Sequence, residues 1–315
     1  RRQLLNWFRR NARDLPWRDA PTPYQTWVSE IMLQQTQVAT VVEYYQRFLK
    51  RFPDVQTLAA ATEQEVLRYW EGLGYYRRAR QLHLAAKTIM TNHGGCFPTT
   101  FPEVLALPGI GRYTAGAILS ISLGLRHPIV EANTIRLFAR LLHVSTEVTA
   151  TRTQKQFWEF ATWILPHKHL SDFNQALMEV GSLICTPKSP TCFECPLRTL
   201  CPTFVSQAFD KIPKPKQKTK SEQVQEVAVV VQHRDGRRVL LRQCQVDQRW
   251  AGLWDFPRFE CDIKCSRELT TSEQQQITQE TYDLADVQID NLIPLTSIKH
   301  GVTKYRITLN CFSAN

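Results

Sequence analysis

Four cysteines near the middle of the chain constrain its fold more than any other feature, because they can close round a single metal centre. Cys185, Cys192, Cys195 and Cys201 are separated by gaps of six, two and five residues, and loops this short bring four thiolates together without long-range folding. Four Cys thiolates hold cubane iron–sulfur clusters, whereas structural zinc sites usually have two evenly short pairs. Disulfides fit poorly, because nothing in the sequence indicates secretion. The spacing therefore favours a [4Fe–4S] cluster, with zinc or no metal as the other interpretations.

Length and composition indicate a globular chain that is large enough for two domains. It has 315 residues, of which 43% are hydrophobic and 22% charged, so each of two domains can bury a core. No apolar run reaches the ~18 residues of a membrane span, and no signal-peptide pattern follows the N-terminus. The chain starts at Arg1 without a methionine, so we expect its natural N-terminus to be missing. The net charge of +10 suggests a polyanionic partner.

The first two thirds of the chain are predicted to be mainly helical. Apolar residues recur there at helical spacing, and short loops separate the periodic segments. The predicted helical segments include 23–51, 63–93, 101–123, 134–144 and 153–165. We assign residues 1–209 to this helical domain.

A linker and a smaller α+β domain are predicted to follow. Residues 210–223 carry two prolines and five lysines with almost no apolar residues, which is typical of an extended linker. Segments rich in β-branched and aromatic residues then indicate strands at 224–232, 238–244, 253–259 and 304–312, and 272–284 has a helical pattern. The second domain, 224–315, ends directly after a strand-like segment, so we expect it to be truncated.

A glycine-containing turn between two predicted helices has the pattern of a phosphate-binding hairpin. Residues 107–115 read LPGIGRYTA, with Leu107 before the turn and Gly109 and Gly111 two residues apart. These glycines allow a tight turn that exposes backbone N–H groups at a helix N-terminus, which can bind a DNA phosphate. A simple turn with glycine caps is the alternative. The flanking Pro, Thr and Ala and the downstream cysteines favour a helix–hairpin–helix.

Taken together, these motifs resemble the helix–hairpin–helix superfamily of DNA glycosylases that carry an iron–sulfur cluster, and more narrowly the MutY family of adenine DNA glycosylases. The most specific stretch is WVSEIMLQQTQV at 27–38. Further matches are LPWR at 15–18, GLGYY at 72–76, FNQA at 173–176 and the cysteine run. The resemblance implies a catalytic region of two helical lobes with a cluster loop, followed by a Nudix-like domain that reads 8-oxoguanine.

The same resemblance implies a substrate, a reaction and a cellular setting. The substrate would be double-stranded DNA with adenine opposite 8-oxoguanine or guanine, and the reaction would be hydrolysis of the adenine N-glycosidic bond in base excision repair. A monomer without membrane association is expected. It would be cytoplasmic in a bacterium, or nuclear or mitochondrial in a eukaryote.

The catalytic residues are also implied by the resemblance. Glu30 matches the acid that protonates the adenine ring, and Tyr113 matches an active-site position that is Tyr or Ser in the family. Glu30 lies in an apolar stretch, and burial would raise the pKa of a carboxyl, as a proton donor near neutral pH requires. An exposed helical Glu is the alternative. A lysine at position 113 would indicate relatives that form a Schiff base; tyrosine cannot, so we expect a monofunctional enzyme.

Further matched positions are expected to bind the extruded adenine and the surrounding DNA. The expected adenine pocket consists of Trp17, Arg18, Leu33 and Gln175. The expected DNA- and lesion-binding residues are Gln35, Thr36, Leu73, Tyr75, Leu107, Gly109, Gly111 and Thr303. For the aromatic residues among them, core packing is the alternative.

Two departures from the family pattern bear on function. The family often has Phe-Ser-His in a lesion-contacting loop where this chain has VTK at 302–304. Thr303 keeps a hydroxyl that can donate and accept a hydrogen bond.

The second departure concerns catalysis. The family normally has Asp-Gly-Asn where this chain has EAN at 131–133. The resemblance implies that Glu131, assisted by Asn133 and Tyr113, supports the sugar cation. Its extra methylene moves the carboxylate by roughly an ångström, a misplacement that can cost ~100-fold in rate. An acid that merely stabilises a helix N-terminus is the alternative.

The second domain raises a rival function, hydrolysis of a nucleotide diphosphate. That chemistry requires a cluster of glutamates that bind Mg²⁺, in a pattern such as REx₂EE. Residues 267–272 read RELTTS and lack the paired glutamates, so we expect this domain to bind rather than hydrolyse. An adenine glycosylase is therefore favoured. A glycosylase of different base specificity and a weakly catalytic or non-catalytic damage-binding relative remain alternatives.

Overall fold

The chain divides into two units, Arg1–Lys216 and Gln217–Asn315. The computed structural model describes residues 1–19, 21–214, 221–245, 248–264, 268–302 and 304–315. Over these ranges, no helix combines the length and the apolar character needed to cross a membrane.

The first unit consists of helices joined by short loops. They are α1 (Arg2–Asn11), α2 (Pro23–Leu33), α3 (Val38–Arg51), α4 (Val55–Ala60), α5 (Glu63–Trp70), α6 (Arg77–His93), α7 (Phe101–Leu105), α8 (Arg112–Ser122), α9 (Ala132–Leu141), α10 (Thr151–Ile164), α11 (Leu170–Leu183) and α12 (Pro202–Val205). Two 3₁₀ turns, Cys192–Glu194 and Arg198–Leu200, lie in the cysteine-rich loop. The mainly helical prediction for this region is confirmed.

Three of the predicted helical segments are interrupted by turns. The segment 23–51 divides into α2 and α3, and Gln35 between them has a φ of +56°. The segment 63–93 divides into α5 and α6 around a turn in which Gly72, Gly74 and Tyr75 have φ values of +89°, +72° and +49°. The segment 101–123 divides into α7 and α8 around the glycine hairpin. Left-handed residues cannot continue a right-handed helix, so each chain segment changes direction at these points.

Close packing of α9 against α11 depends on a glycine. A Cβ atom added to Gly181 of α11 would lie 2.8 Å from both the Cβ and the carbonyl oxygen of Asn133 in the first turn of α9. Such an approach is closer than Cβ atoms tolerate, so a larger residue would push the N-terminus of α9 away. The buried aromatic residues Phe138 of α9 and Phe173 of α11 belong to the same hydrophobic core. This packing fixes the position of the residues that begin α9.

The segment predicted as a linker is partly packed on the helical unit. Ile212 is only 2% exposed and belongs to the core of this unit. The Nε atom of Arg140 donates a 2.9 Å hydrogen bond to its carbonyl oxygen. The expectation of an extended linker over the whole of 210–223 was therefore wrong at Ile212, and the first strand begins at Glu222. Residues 215–220 lie outside the described residues.

The second unit contains a mixed four-stranded sheet and a helix. The strands are β1 (Glu222–Val231), β4 (Arg258–Glu260), β5 (Ile293–Val302) and β6 (Tyr305–Ala314), in the order β4-β1-β6-β5. Strand β1 is parallel to β6 and antiparallel to β4, and β5 is antiparallel to β6. Helix α13 (Thr271–Ala285) contributes Ile277 to a core with Val227, Val229 and Phe312 of the sheet. The prediction of a smaller α+β region is confirmed.

Two strand predictions differ from the structure. Within the predicted strand 238–244, the structure has an isolated bridge between Val239 and Gln232 and the two-residue strand β2 (Arg242–Gln243), whose partner is β3 (Trp254–Asp255). Strand β5 was not predicted. Its residues are mostly exposed, so it lacks the alternation of apolar and polar residues that marks a strand with one buried face.

Candidate active site

A cavity of about 640 Å³ lies in the first unit, lined by α2, α8, α9, α11 and the chain around residues 13–18. Its volume falls in the range of roughly 300–1,000 Å³ that is usual for small-molecule sites. Ten residues singled out in the sequence line it: Trp17, Arg18, Glu30, Leu33, Gln35, Thr36, Tyr113, Glu131, Asn133 and Gln175. The structure therefore gathers the expected catalytic and adenine-pocket residues at one site.

Glu30 of α2 is a buried carboxyl group on the cavity wall, and its side chain is engaged by a tyrosine. It is 5% exposed, and the hydroxyl of Tyr113, in the first turn of α8, donates a 2.5 Å hydrogen bond to Glu30 Oε2. Burial raises the pKa of Glu30 to about 7; the hydrogen bond from Tyr113 opposes this rise, and the charge of Glu131 adds to it. Glu30 can therefore hold or release a proton near neutral pH.

Local sequence signals set the ends of the two helices that carry this pair. Thr22 accepts a hydrogen bond from Gln25 N, and the Gln25 side chain accepts one from Thr22 N, while Pro23 occupies the first helical position. This reciprocal cap starts α2 seven residues before Glu30. Helix α8 starts directly after Gly111, which places Tyr113 on its first turn.

Glu131 is at once the N-cap of α9 and a cavity-lining residue. Its Oε1 accepts a hydrogen bond from Thr134 N at 2.9 Å, and its Oε2 accepts from Asn133 N at 2.8 Å and from Asn133 Nδ2 at 3.3 Å. In return, Thr134 Oγ1 accepts a 2.8 Å hydrogen bond from Glu131 N. Burial raises the pKa of Glu131, and the hydrogen bonds from Asn133 and Thr134 oppose the rise. The capping role considered as an alternative is therefore present, in a group that also faces the cavity.

Glu179 of α11 is a cavity residue that sequence reasoning missed. It is 1% exposed and pairs with two arginines. Arg13 Nη2 and Arg18 Nη2 lie 2.8 Å and 2.7 Å from its Oε2, and both arginines also reach its Oε1. Although burial alone would raise it, the hydrogen bonds from Arg13 and Arg18 lower the pKa of Glu179 to about 2. The available signal was an acid within an apolar helix, the pattern that pointed to Glu30.

Arg78 at the start of α6 was also missed. Its guanidinium lies within hydrogen-bond distance of acceptors from two separate turns, among them the carbonyl oxygens of Ile31 at 2.9 Å and Gly74 at 3.2 Å. Nothing in the sequence distinguishes Arg78 from Arg77 and Arg80 beside it.

The four cysteines of the run line a second, much smaller cavity of about 20 Å³, together with Arg140 and Arg198. Arg140 Nη1 donates a 3.3 Å hydrogen bond to Cys185 Sγ. Burial, together with repulsion from the other three thiols, raises the pKa of Cys195 to about 11. A raised pKa means that the thiolate form is unfavourable. A bound metal centre would offset this free energy, because it binds cysteines as thiolates. Within the described ranges, no three His, Cys, Asp or Glu side chains are grouped so as to hold a single metal ion.

Comparisons with known proteins agree with this architecture. A family model described as the HhH-GPD superfamily of base excision DNA repair proteins matches residues 28–162. A protein of Buchnera aphidicola subsp. Schizaphis graminum, named adenine DNA glycosylase, is 38% identical over 262 residues, which cover 83% of this chain and 75% of that protein. The chain belongs to the adenine DNA glycosylase family. It is therefore a member of a family of enzymes.

Longer relatives and solved structures extend the comparison. The human protein named adenine DNA glycosylase is 41% identical over 210 residues, and this chain covers 38% of its length; it covers 41% of the mouse protein. A thermostable thymine-DNA glycosylase is 28% identical, with a TM-score of 0.61 over 65% of this chain and 94% of that one. An endonuclease III–DNA covalent intermediate shares the fold at 21% identity, with a TM-score of 0.56 over the same shares of the two chains.

The remaining residues expected to bind DNA do not line the large cavity. Tyr75 is 50% exposed on its turn, whereas Leu73 and Leu107 are only 5% and 3% exposed. The side chains of Leu73 and Leu107 are therefore buried, and the role of these two positions in DNA binding stays a prediction. Thr303 lies outside the described residues.

In this family member, the two hairpin glycines meet different requirements. Gly109 has a φ of +75°, and an added Cβ would lie 2.6 Å from Gln81 Cβ. A side chain at Gly111 would meet open space. Gly109 is therefore needed for the shape of the turn, whereas Gly111 leaves the N-terminus of α8 uncovered.

Proposed function

We propose that this protein is a monofunctional DNA glycosylase that removes adenine paired with 8-oxoguanine or guanine. The observation that carries the proposal is the buried pair of Glu30 and Tyr113 in the cavity, with a pKa for Glu30 of about 7. A general acid works best when its pKa lies near the operating pH. The name that the relatives bear, adenine DNA glycosylase, supports adenine as the base.

Two carboxyl groups share the chemistry in this proposal. Glu30 gives its proton to the adenine ring, so that the N-glycosidic bond breaks with its electron pair moving onto a base that leaves neutral. The sugar then carries positive charge, which the carboxylate of Glu131 stabilises, as in glycoside hydrolysis. A carboxylate offers about four acceptor sites, and Glu131 uses three of them for Asn133 and Thr134. One site remains for the sugar or for the attacking water.

The absence of an amine in the cavity supports a single glycosylase step. Position 113 is a tyrosine, and no lysine stands among the described residues that line the cavity. Strand cleavage through a Schiff base requires such an amine. We therefore expect little covalent product when the enzyme is treated with borohydride on substrate DNA, while abundant trapping would contradict this part of the proposal.

Recognition of the extruded adenine is proposed to involve the paired charges on the cavity wall. Glu179 stays ionised at every working pH, because its pKa is about 2, and its oxygens accept hydrogen bonds from Arg13 and Arg18, so it holds these two arginines on the cavity wall. Arg18 is held against it by two hydrogen bonds of 3.1 Å and 2.7 Å. Trp17 offers an aromatic ring and Gln175 an amide on the same wall. Extruding the base costs a few kcal/mol of stacking, which contacts of this kind offset.

The cysteine run is proposed to hold a [4Fe–4S] cluster. Cys185, Cys192, Cys195 and Cys201 converge on one cavity, and cluster thiolates bind four different iron atoms, so they need not crowd together as the ligands of one zinc ion do. When bound, the cluster would cross-link this loop. The loop also carries Arg198, a cation suited to a DNA phosphate.

The second unit is proposed to be a Nudix-like domain that reads the base opposite adenine. Its mixed sheet and helix α13 support this, and the missing glutamate pattern argues against hydrolysis. Thr303 is proposed as a hydrogen-bonding contact to 8-oxoguanine. Its neighbour Lys304, which could reach a phosphate, makes a 2.7 Å ion pair with Glu222.

The decisive experiment is a single-turnover assay on duplexes with adenine opposite 8-oxoguanine, adenine opposite guanine, and uracil mismatches. We expect adenine release from the first two and none from the third. A Glu30→Gln variant should lose adenine release while still binding the duplex. Uracil release would instead favour a different base specificity. Tight binding to the 8-oxoguanine duplex without release of any base would favour a non-catalytic damage-binding role.

A further inference from the structure

The half-buried guanidinium of Arg78 joins two turns that are otherwise separate. The first turn, 31–37, ends the helix that carries Glu30, and the second turn, 71–76, carries the exposed Tyr75. We propose that Arg78 is a positioning residue that locks these two turns together. It would thereby fix the distance and orientation between Glu30, the acid on adenine, and Tyr75, the residue beside the opposing lesion. The consequence for catalysis rests on the proposed function.

On the side of the first turn, Arg78 donates hydrogen bonds to carbonyl groups at the C-terminal end of α2. Its Nη1 atom donates to the carbonyl oxygens of Ile31 at 2.9 Å, Met32 at 3.0 Å and Gln34. Its Nη2 atom donates to Thr36 Oγ1 at 3.1 Å. The last carbonyl groups of a helix have no partner within the helix, and a cation is favoured there by the helix dipole. Arg78 therefore stabilises the end of α2.

On the side of the second turn, the same Nη2 atom donates to the carbonyl oxygens of Leu73 at 3.4 Å and Gly74 at 3.2 Å. The guanidinium also lies 5.2 Å from the ring centroid of Tyr75 and 5.5 Å from that of Trp70. Gly74 and Tyr75 both have left-handed φ values, which cost free energy for Tyr75. Contacts with Arg78 offset that cost and hold the aromatic ring in place.

The geometry requires arginine rather than any cation. Six acceptors surround the two terminal nitrogens of Arg78, and no carboxylate pairs with it in the described part of the chain. A planar guanidinium presents donors in a fixed fork, whereas the lysine ammonium has three donors at a single point. Lysine would keep the charge at this position but could not reach both turns at once.

The lock can be tested without any assumption about function by hydrogen exchange on the free protein. We expect Arg78→Ala to increase exchange by about tenfold or more in both 31–37 and 71–76, because hydrogen bonds to both are lost. Arg77→Ala is the matched control, since Arg77 is exposed on the same turn of α6, and it should leave both segments unchanged. Unchanged exchange in Arg78→Ala, or a change confined to one segment, would overturn the lock.

The functional consequence is tested by single-turnover adenine release at a temperature where both variants are folded. Arg78→Lys should lower the preference for 8-oxoguanine over guanine by up to about 100-fold, the scale of a misplaced contact. In a Tyr75→Ala background, Arg78→Lys should have no further effect on that preference, because the ring that Arg78 positions is no longer present. Additive effects would overturn the link to Tyr75. If the wild-type enzyme released no adenine, the proposed function would fail, while hydrogen exchange would still decide the lock.

Discussion

Replacing Glu30 with glutamine should stabilise the folded protein at alkaline pH, because the native structure disfavours the Glu30 carboxylate. The pKa of Glu30 is raised from 4.5 to about 7, chiefly by burial. The native state therefore binds this proton more tightly than the unfolded chain does. Under proton linkage, the free energy of unfolding then falls as the pH rises from about 4.5 to 7.

The magnitude follows from the two pKa values. At about 1.4 kcal/mol per pH unit, a pKa change from 4.5 to about 7 corresponds to about 3.5 kcal/mol of lost stability above pH 7. Glutamine has nearly the same shape, stays neutral, and can accept the hydrogen bond from Tyr113. Glu30→Gln should therefore be about 3.5 kcal/mol more stable than the wild type at pH 8 and nearly equal to it at pH 4.5, while it loses adenine release.

Urea unfolding at several pH values between 4.5 and 8 provides the assay. Tryptophan fluorescence reports mainly on the helical unit, which holds six of the eight tryptophans. Glu179→Gln is the control, and it should be less stable than the wild type by an amount that hardly changes over most of this pH range. The pKa of Glu179 is lowered to about 2, so its carboxylate stabilises the fold at pH 7 and this contribution is lost as the pH falls from about 4.5 to 2. A stability difference between Glu30→Gln and the wild type that does not change with pH would refute the reasoning.

Three further changes should separate chemistry, DNA binding and lesion reading. Glu131→Gln should slow single-turnover adenine release by about 100-fold or more, because a neutral amide cannot stabilise the sugar cation, whereas Glu131→Asp should keep the helix cap and match or exceed the wild-type rate; a wild-type rate in Glu131→Gln would show that its carboxylate is only a cap. Gly109→Ala should weaken binding to all duplexes, measured by fluorescence anisotropy, because its φ of +75° and its 2.6 Å approach to Gln81 forbid a Cβ; unchanged affinity would remove the hairpin from the DNA interface. Thr303→Ala should reduce the binding preference for 8-oxoguanine over guanine, measured by fluorescence anisotropy. An unchanged preference would exclude Thr303 as a lesion contact.

Helices were easier to predict from this sequence than the turns between them. The apolar spacing of 23–51 and 63–93 indicated helices correctly, but it could not show that Gln35 and Tyr75 adopt left-handed conformations. Such conformations in residues other than glycine depend on outside support, and here Arg78 provides part of it. Strand β5 was missed for a related reason, since its exposed residues carry no pattern of burial.

The sequence by itself determined the features that depend on neighbours along the chain. The cysteine spacing brings Cys185, Cys192, Cys195 and Cys201 to one cavity, and the glycine hairpin and the helix caps are likewise encoded by a few adjacent residues. The apolar setting of Glu30 also predicted its burial, because a residue within an apolar helical stretch is carried into the core.

The tertiary structure alone decided which distant groups meet and what their charges become. Tyr113 reaches Glu30 across 83 positions of the chain, and Arg18 reaches Glu179 across 161. As a result, two acids that share an apolar helical setting have opposite pKa shifts, to about 7 and about 2. The physical reason is that burial acts on both acids, but only Glu179 has cationic partners to stabilise its carboxylate. Those partners are brought to it by the packing of the folded chain.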